Sequence, residues 1–156
     1  MAADRTYDGD LTLWAEDQAR ALRSAAQARV NAPIDWENVA EEIESLGRSQ
    51  ARELASRVRT ILEHLIKLQT SPATDPRPGW RQTILRERAE IEGVLKDSPS
   101  LRRTLPDVIA AQIGMARRLI ALDLADRGET PTIDPASISY TAEQLLGDWL
   151  PADPVA

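Results

Sequence analysis

Apolar residues recur along this chain at intervals of three and four, the period of helices with one buried face. No alternating run is long enough to make a strand. Leu11, Trp14, Gln18, Ala21, Leu22 and Ala25 predict a first helix over about 11–29, with Asp10 as its N-cap. Pro33 interrupts, and Asp35 then caps a second helix, with Ile34 and Val39 placed for a staple-like contact. Two patterns follow one another on this helix. Val39, Ile43 and Leu46 form the first; Leu54, Val58, Ile61, Leu65 and Leu68 form a heptad-like seam that carries the helix to about Gln69. Gly47 stands between them and costs about 1 kcal/mol relative to Ala inside a helix, so a bend or break is expected there.

The stretch from Ser71 to Gly79 holds three prolines and reads as a loop. A third helix follows over about 80–96, buried through Trp80, Ile84, Ile91, Val94 and Leu95. Ser98 and Pro99 form a restart signal for a fourth helix over about 99–127. Its apolar positions are Leu101, Leu105, Val108, Ile109, Ile113, Ala116, Leu119, Ile120 and Leu124. Pro106 kinks it or splits off its first turn, and Gly128 ends it. Residues 129–139 read as irregular. Thr141 and Gln144 make a capping box for a short last helix that ends near Trp149, before Pro151. The fold class is all-α: a bundle of about four main helices and a short C-terminal one.

Composition refines this picture. The 156 residues suit one domain, expected over 7–151 with flexible ends at 1–6 and 152–156. There is no apolar run of the ~20 residues that a membrane span needs, and the first residues lack a secretory pattern. With no cysteine, disulfides, thiolate metal sites and cysteine nucleophiles drop out, and a cytoplasmic home fits. Phe is absent too, so Trp14, Trp36, Trp80 and Trp149 supply most of the aromatic area, and at least three are expected in core seams. The net charge of −6 conceals a segregation. Residues 1–46 carry ten acidic and four basic side chains, 47–122 eight and fourteen, and 123–156 seven and one. Either the acidic ends neutralise the basic middle, with Arg48 and Arg52 facing acidic residues of the first helix, or the middle recruits an anionic partner. The first is the simpler reading.

Several motifs resemble a known family. The run Asp35-Trp36-Glu37-Asn38-Val39-Ala40-Glu41-Glu42-Ile43-Glu44-Ser45-Leu46-Gly47-Arg48-Ser49 is the longest. The others are Tyr7-Asp8-x-Asp10 before Trp14, the segment from His64 to Gln69, Trp80-Arg81-x-Thr83-Ile84, the segment from Leu95 to Leu101, and the segment from Tyr140 to Leu146. In this order they resemble the bacterial domain-of-unknown-function family 29, over about residues 7–151. The chain departs from it at Leu11, where an aromatic is usual, and at Leu68, where tryptophan is common. The resemblance implies an all-helical fold and no assigned activity. Asp8, Asp10, Trp36, Trp80 and Arg81, all within these motifs, are the binding candidates.

Chemistry is sparse. Glu37, Glu41 and Glu44 fall within about 60° on one helical stripe, nearly opposite Val39, Ile43 and Leu46, which suggests a solvated face. If a second helix covered it, Glu41 and Glu44 with Glu87 and Glu90, or with Asp123 and Asp126, would make an oxygen-rich site for Mg²⁺ or Mn²⁺. Glu41 and Glu44 would then be catalytic. His64, the single histidine, lies at the edge of the seam as a hydrogen-bonded structural residue or a general base. Serines 45, 49 and 56 share its helix, but nothing resembles a nucleophile elbow. Arginines around Trp80 suit nucleic acid, yet the acidic sequence pI of about 4.9 argues against it. The sequence therefore points to an interaction or accessory module that binds a protein partner or itself through its charge-segregated faces and the 54–68 seam, with no cofactor. The alternative is a metal-dependent hydrolase of a nucleotide or phosphate ester.

Overall fold

The computed structural model describes residues 2–29 and 31–153. Residue 1 and residues 154–156, expected to be flexible, lie outside the described residues. The helices are α1 (Leu11–Gln27), α2 (Trp36–Thr70), α3 (Arg77–Asp97), α4 (Leu105–Asp126) and α5 (Ala142–Leu146). Short 3-10 helices occupy Pro99–Thr104 and Pro135–Ser137. No strand occurs among the described residues. The chain divides into two compact units, Met1–Leu54 with Gly93–Arg103, and Ala55–Glu92 with Thr104–Ala156.

In the first unit, α1 begins where Asp10, in extended conformation, accepts the Leu13 amide at 2.8 Å. Its buried side chains are Leu13, Ala15 and Ala19, whereas Gln18 and Ala21 of the expected face are exposed. The reason is close approach: small residues let α1 lie against α2. Gly47 is buried there, and a Cβ added to it would stand 3.5 Å from Thr12. Helix α2 continues through Gly47, so the chain does not break there. The same packing corrects the apolar pattern of this stretch: Ala40 and Gly47 are buried, while Val39 and Leu46 are exposed. Asp35 does cap α2, accepting the Asn38 amide at 3.3 Å.

The second unit holds most of the aliphatic core. Val58, Ile61, Leu65 and Leu68 of the heptad-like seam are fully buried, with Ile84 and Ile91 of α3 and Leu145 of α5; Leu54, in the first unit, is fully buried as well. The seam is core and leaves no free face for self-association. Helix α3 starts at Arg77, inside the proline-rich loop, because proline is well tolerated in a first helical turn. Pro106 splits the fourth predicted helix: a 3-10 segment precedes it and α4 follows with the proline in its first turn. Gly128, at φ 68°, ends α4 with paired bonds from its own amide to Ala125 and from Glu129 to Leu124. Both halves of the Thr141–Gln144 capping box form, although α5 stops at Leu146. Leu119, expected inside, is exposed.

The tryptophans also depart from expectation. Trp14, Trp36 and Trp80 are half-buried and Trp149 is exposed, while the buried core is aliphatic apart from Tyr140. Wide rings with a polar edge settle at its margin.

Three arginines hold the C-terminal segment of this unit. Arg88, only 7% exposed, donates to the carbonyls of Gln144, Leu145 and Trp149 at 2.7–2.9 Å. Burial pulls its pKa below the ordinary arginine range. Arg117 donates to the Ile138 carbonyl, and Arg77 bridges the Leu68 carbonyl and Asp153. Lys67 meets Asp123 at 3.4 Å, so acidic residues near the C-terminus do neutralise part of the basic middle.

Replacing Gly47 tests the α1–α2 approach. Its added Cβ meets only ordinary van der Waals contact, so Gly47→Ala should raise the unfolding free energy by about 0.5–1 kcal/mol in urea titration. A loss of stability would show that the two helices lie closer than described.

Candidate functional site

The first of the motif residues to find a partner is Asp10. Its carboxylate, 3% exposed, uses one oxygen to cap α1 through the Leu13 amide and the other to accept the Ser100 amide at 2.7 Å. Ser98 returns the contact: its hydroxyl oxygen accepts the Thr12 amide at 3.2 Å and lies 2.9 Å from the Thr12 hydroxyl. Each of two helix starts is thus completed by a residue of the other. The side chain of Ser98, the expected cap of the helix that follows it, also reaches α1. Through this exchange the Tyr7–Trp14 and Leu95–Leu101 motifs become one joint.

Beside it lies an open cleft of about 520 Å³ whose walls include Gly9, Pro99, Ser100 and Arg103. Asp10 borders it with both oxygens already engaged. Asp8 is exposed and lines a smaller recess of about 220 Å³ with Tyr7, Leu11 and Asp97. Arg5, in the stretch expected to be a loose end, makes a two-pronged pair with Asp17 at 2.6 and 2.7 Å. That hydrogen-bonded pairing holds the Asp17 carboxyl down at about 2.

The carboxylate stripe of α2 is clasped by arginine. Arg23 of α1 reaches Glu44 at 2.6 Å, Glu41 at 3.5 Å and Glu37 at 3.9 Å. Its hydrogen bond with Glu44 is the main reason its own pKa rises. Arg48 adds ion pairs with Glu41 and Glu44 of its own helix. The stripe therefore borders the α1 contact and is not simply a solvated face, and Arg48 does not turn to acidic residues of α1. Glu87 and Glu90 are likewise taken, by Arg57 at 3.0 and 3.6 Å. Among the described residues no three His, Asp or Glu side chains are grouped to hold a metal ion.

The remaining candidates sit in structural contacts. His64 is half-buried with Nδ1 2.8 Å from the Thr60 carbonyl oxygen, so that nitrogen carries the hydrogen. Lys67 lies 5.8 Å from the Trp80 ring centroid, a cation–π contact. Arg81 pairs with Asp153. Gln69 accepts the Tyr140 hydroxyl at 2.6 Å, which joins the His64–Gln69 motif to the C-terminal one. Trp36 opens α2, its indole N–H buried without a hydrogen-bond partner among the described residues.

The model of the family described as "Domain of unknown function DUF29" matches residues 6–150. The chain belongs to that family. A crystal structure of an α-helical protein of unknown function from Rhodospirillum rubrum ATCC 11170 is similar to it, at 26% identity and a TM-score of 0.71. The similarity covers 92% of this chain and 90% of that one. None of the curated proteins matches. In this DUF29 chain four of the separated motifs meet in the two joints just described.

One feature of α4 escaped the sequence reading. Met115, Leu119 and Leu122 are 42%, 42% and 60% exposed, at the helical spacing of four and three. The signal was present, because α4 carries more apolar residues than one core face accepts.

The Asp10 joint yields a test. Asp10→Ala removes two buried amide acceptors and should cost about 2–3 kcal/mol in chemical unfolding, with Ser98→Ala costing about 1 kcal/mol. Because both act on the same helix start, their double mutant should cost less than the sum. Strict additivity would separate the two caps.

Proposed function

We propose that this DUF29 chain is a protein-interaction module whose contact surface is the outward face of α4. The observation that carries the reading is the exposed row Met115, Leu119 and Leu122. An apolar row of that kind on a folded domain commonly marks a place where another molecule binds. The chemistry available elsewhere supports the same view. Glu41 and Glu44 would have to exchange Arg23 and Arg48 for a metal ion before acting as a hydrolase centre. Of the arginines that suggested a nucleic-acid surface, Arg48, Arg57, Arg59, Arg77 and Arg81 are in ion pairs with carboxylates.

A photo-crosslinking residue at position 119, in cells producing the full chain, should give a discrete protein adduct, while the same probe at exposed Gln82 of α3 should give none. No adduct at 119 would remove the reading. Leu119→Gln should abolish association yet leave stability within about 0.5 kcal/mol, as an exposed substitution does. By contrast, Leu124→Ala in the buried face of the same helix should cost about 2–5 kcal/mol. A large loss from Leu119→Gln would make that residue part of the fold and not a contact surface.

A further inference from the structure

We infer that the occupant of the α4 face is the α4 of a second copy of this chain, laid antiparallel to it. This rests on the reading of α4 as the contact surface and names its partner. Helix α4 has 22 residues, so it is about 33 Å long at 1.5 Å per residue. At 100° per residue the row Met115, Leu119 and Leu122 continues toward the N-terminus through exposed Ala111. An antiparallel pair brings Met115 of each copy toward the small Ala111 of the other.

Charge points the same way. Asp107 and Arg118 are exposed, and neither makes an ion pair among the described residues. Eleven residues separate them, about three helical turns, so they lie on one flank of the apolar row. In a two-fold antiparallel pair each flank meets its own counterpart, which brings Arg118 of each copy toward Asp107 of the other, twice over. In a parallel pair this flank meets the opposite one, where Gln112 lies, and the complementarity is lost. A single row of large side chains on one helix belongs with the small, transient interfaces below about 1,200 Å² in total. The pair is therefore concentration-dependent.

Sedimentation equilibrium on the full chain should show 17.2 kDa monomers in exchange with dimers as concentration rises. Arg118→Asp should weaken the dimer at least several-fold, and adding Asp107→Arg to it should restore the affinity. The chain has no cysteine, which allows a test of direction. Oxidising an equimolar mixture of Ala111→Cys and Met115→Cys chains should give mixed disulfide dimers well beyond the two-to-one excess over either like pair that random pairing gives. Like pairs in excess would overturn the antiparallel arrangement, as would an Arg118→Asp defect that Asp107→Arg does not repair. A monomer at every concentration up to millimolar would overturn self-pairing altogether. If position 119 still crosslinks to a different protein, only the choice of occupant is lost; if it crosslinks to nothing, the contact surface is lost with it.

Discussion

Asp10 places a single buried carboxylate between two helix starts. A helix start leaves backbone amides without internal partners, and a carboxylate is the strongest neutral-pH acceptor available to them. Here one side chain serves Leu13 in α1 and Ser100 in the 3-10 segment, while Ser98 sends an acceptor back to Thr12. Residues nearly ninety positions apart are thereby held in register. The position of α1 against the Gly47 stretch of α2 follows, because Thr12, the residue that Gly47 meets, sits inside this joint. A serine there would offer one oxygen where Asp10 offers two.

Buried or half-buried arginine plays the corresponding part elsewhere. Arg88, Arg77 and Arg117 satisfy peptide carbonyls in the last turns of α5 and α2 and in the irregular C-terminal segment. Arg23, Arg48 and Arg57 occupy the glutamates that would otherwise be candidates for chemistry. Such pairs are individually modest where solvent reaches them, so their effect is on specificity of arrangement more than on total stability. The motifs of the DUF29 family are, in this chain, largely the parts of these joints. What they leave over is the outward row of α4, which belongs to none of them.

Much of the fold was legible from periodicity and capping chemistry. The seam from Leu54 to Leu68, the Thr141 capping box, the split at Pro106 and the stop at Gly128 are local signals, read correctly because neighbours in sequence determine them. The failures are of another kind. The buried faces of α1 and of the front half of α2 depend on Ala15, Ala19, Ala40 and Gly47, whose value is closeness of approach and not apolar area. A pattern that weights residues by hydrophobicity selects Val39 and Leu46 instead. The tryptophans failed for a related reason, since size suggested burial while the core is built almost wholly of aliphatic side chains. Asp10 was recognised as a cap, but its second amide lies far along the chain and no local spacing announces it.

The motifs act as joints in this chain, and Asp10 is the centre of one of them. Native-state hydrogen exchange of the Thr12, Leu13 and Ser100 amides tests this directly. If one carboxylate and one serine close both helix starts, the three amides should be strongly protected and should open together with a common free energy. Ser100 exchanging close to the rate of an unfolded peptide while Leu13 stays protected would contradict the account, leaving Asp10 as the cap of α1 alone.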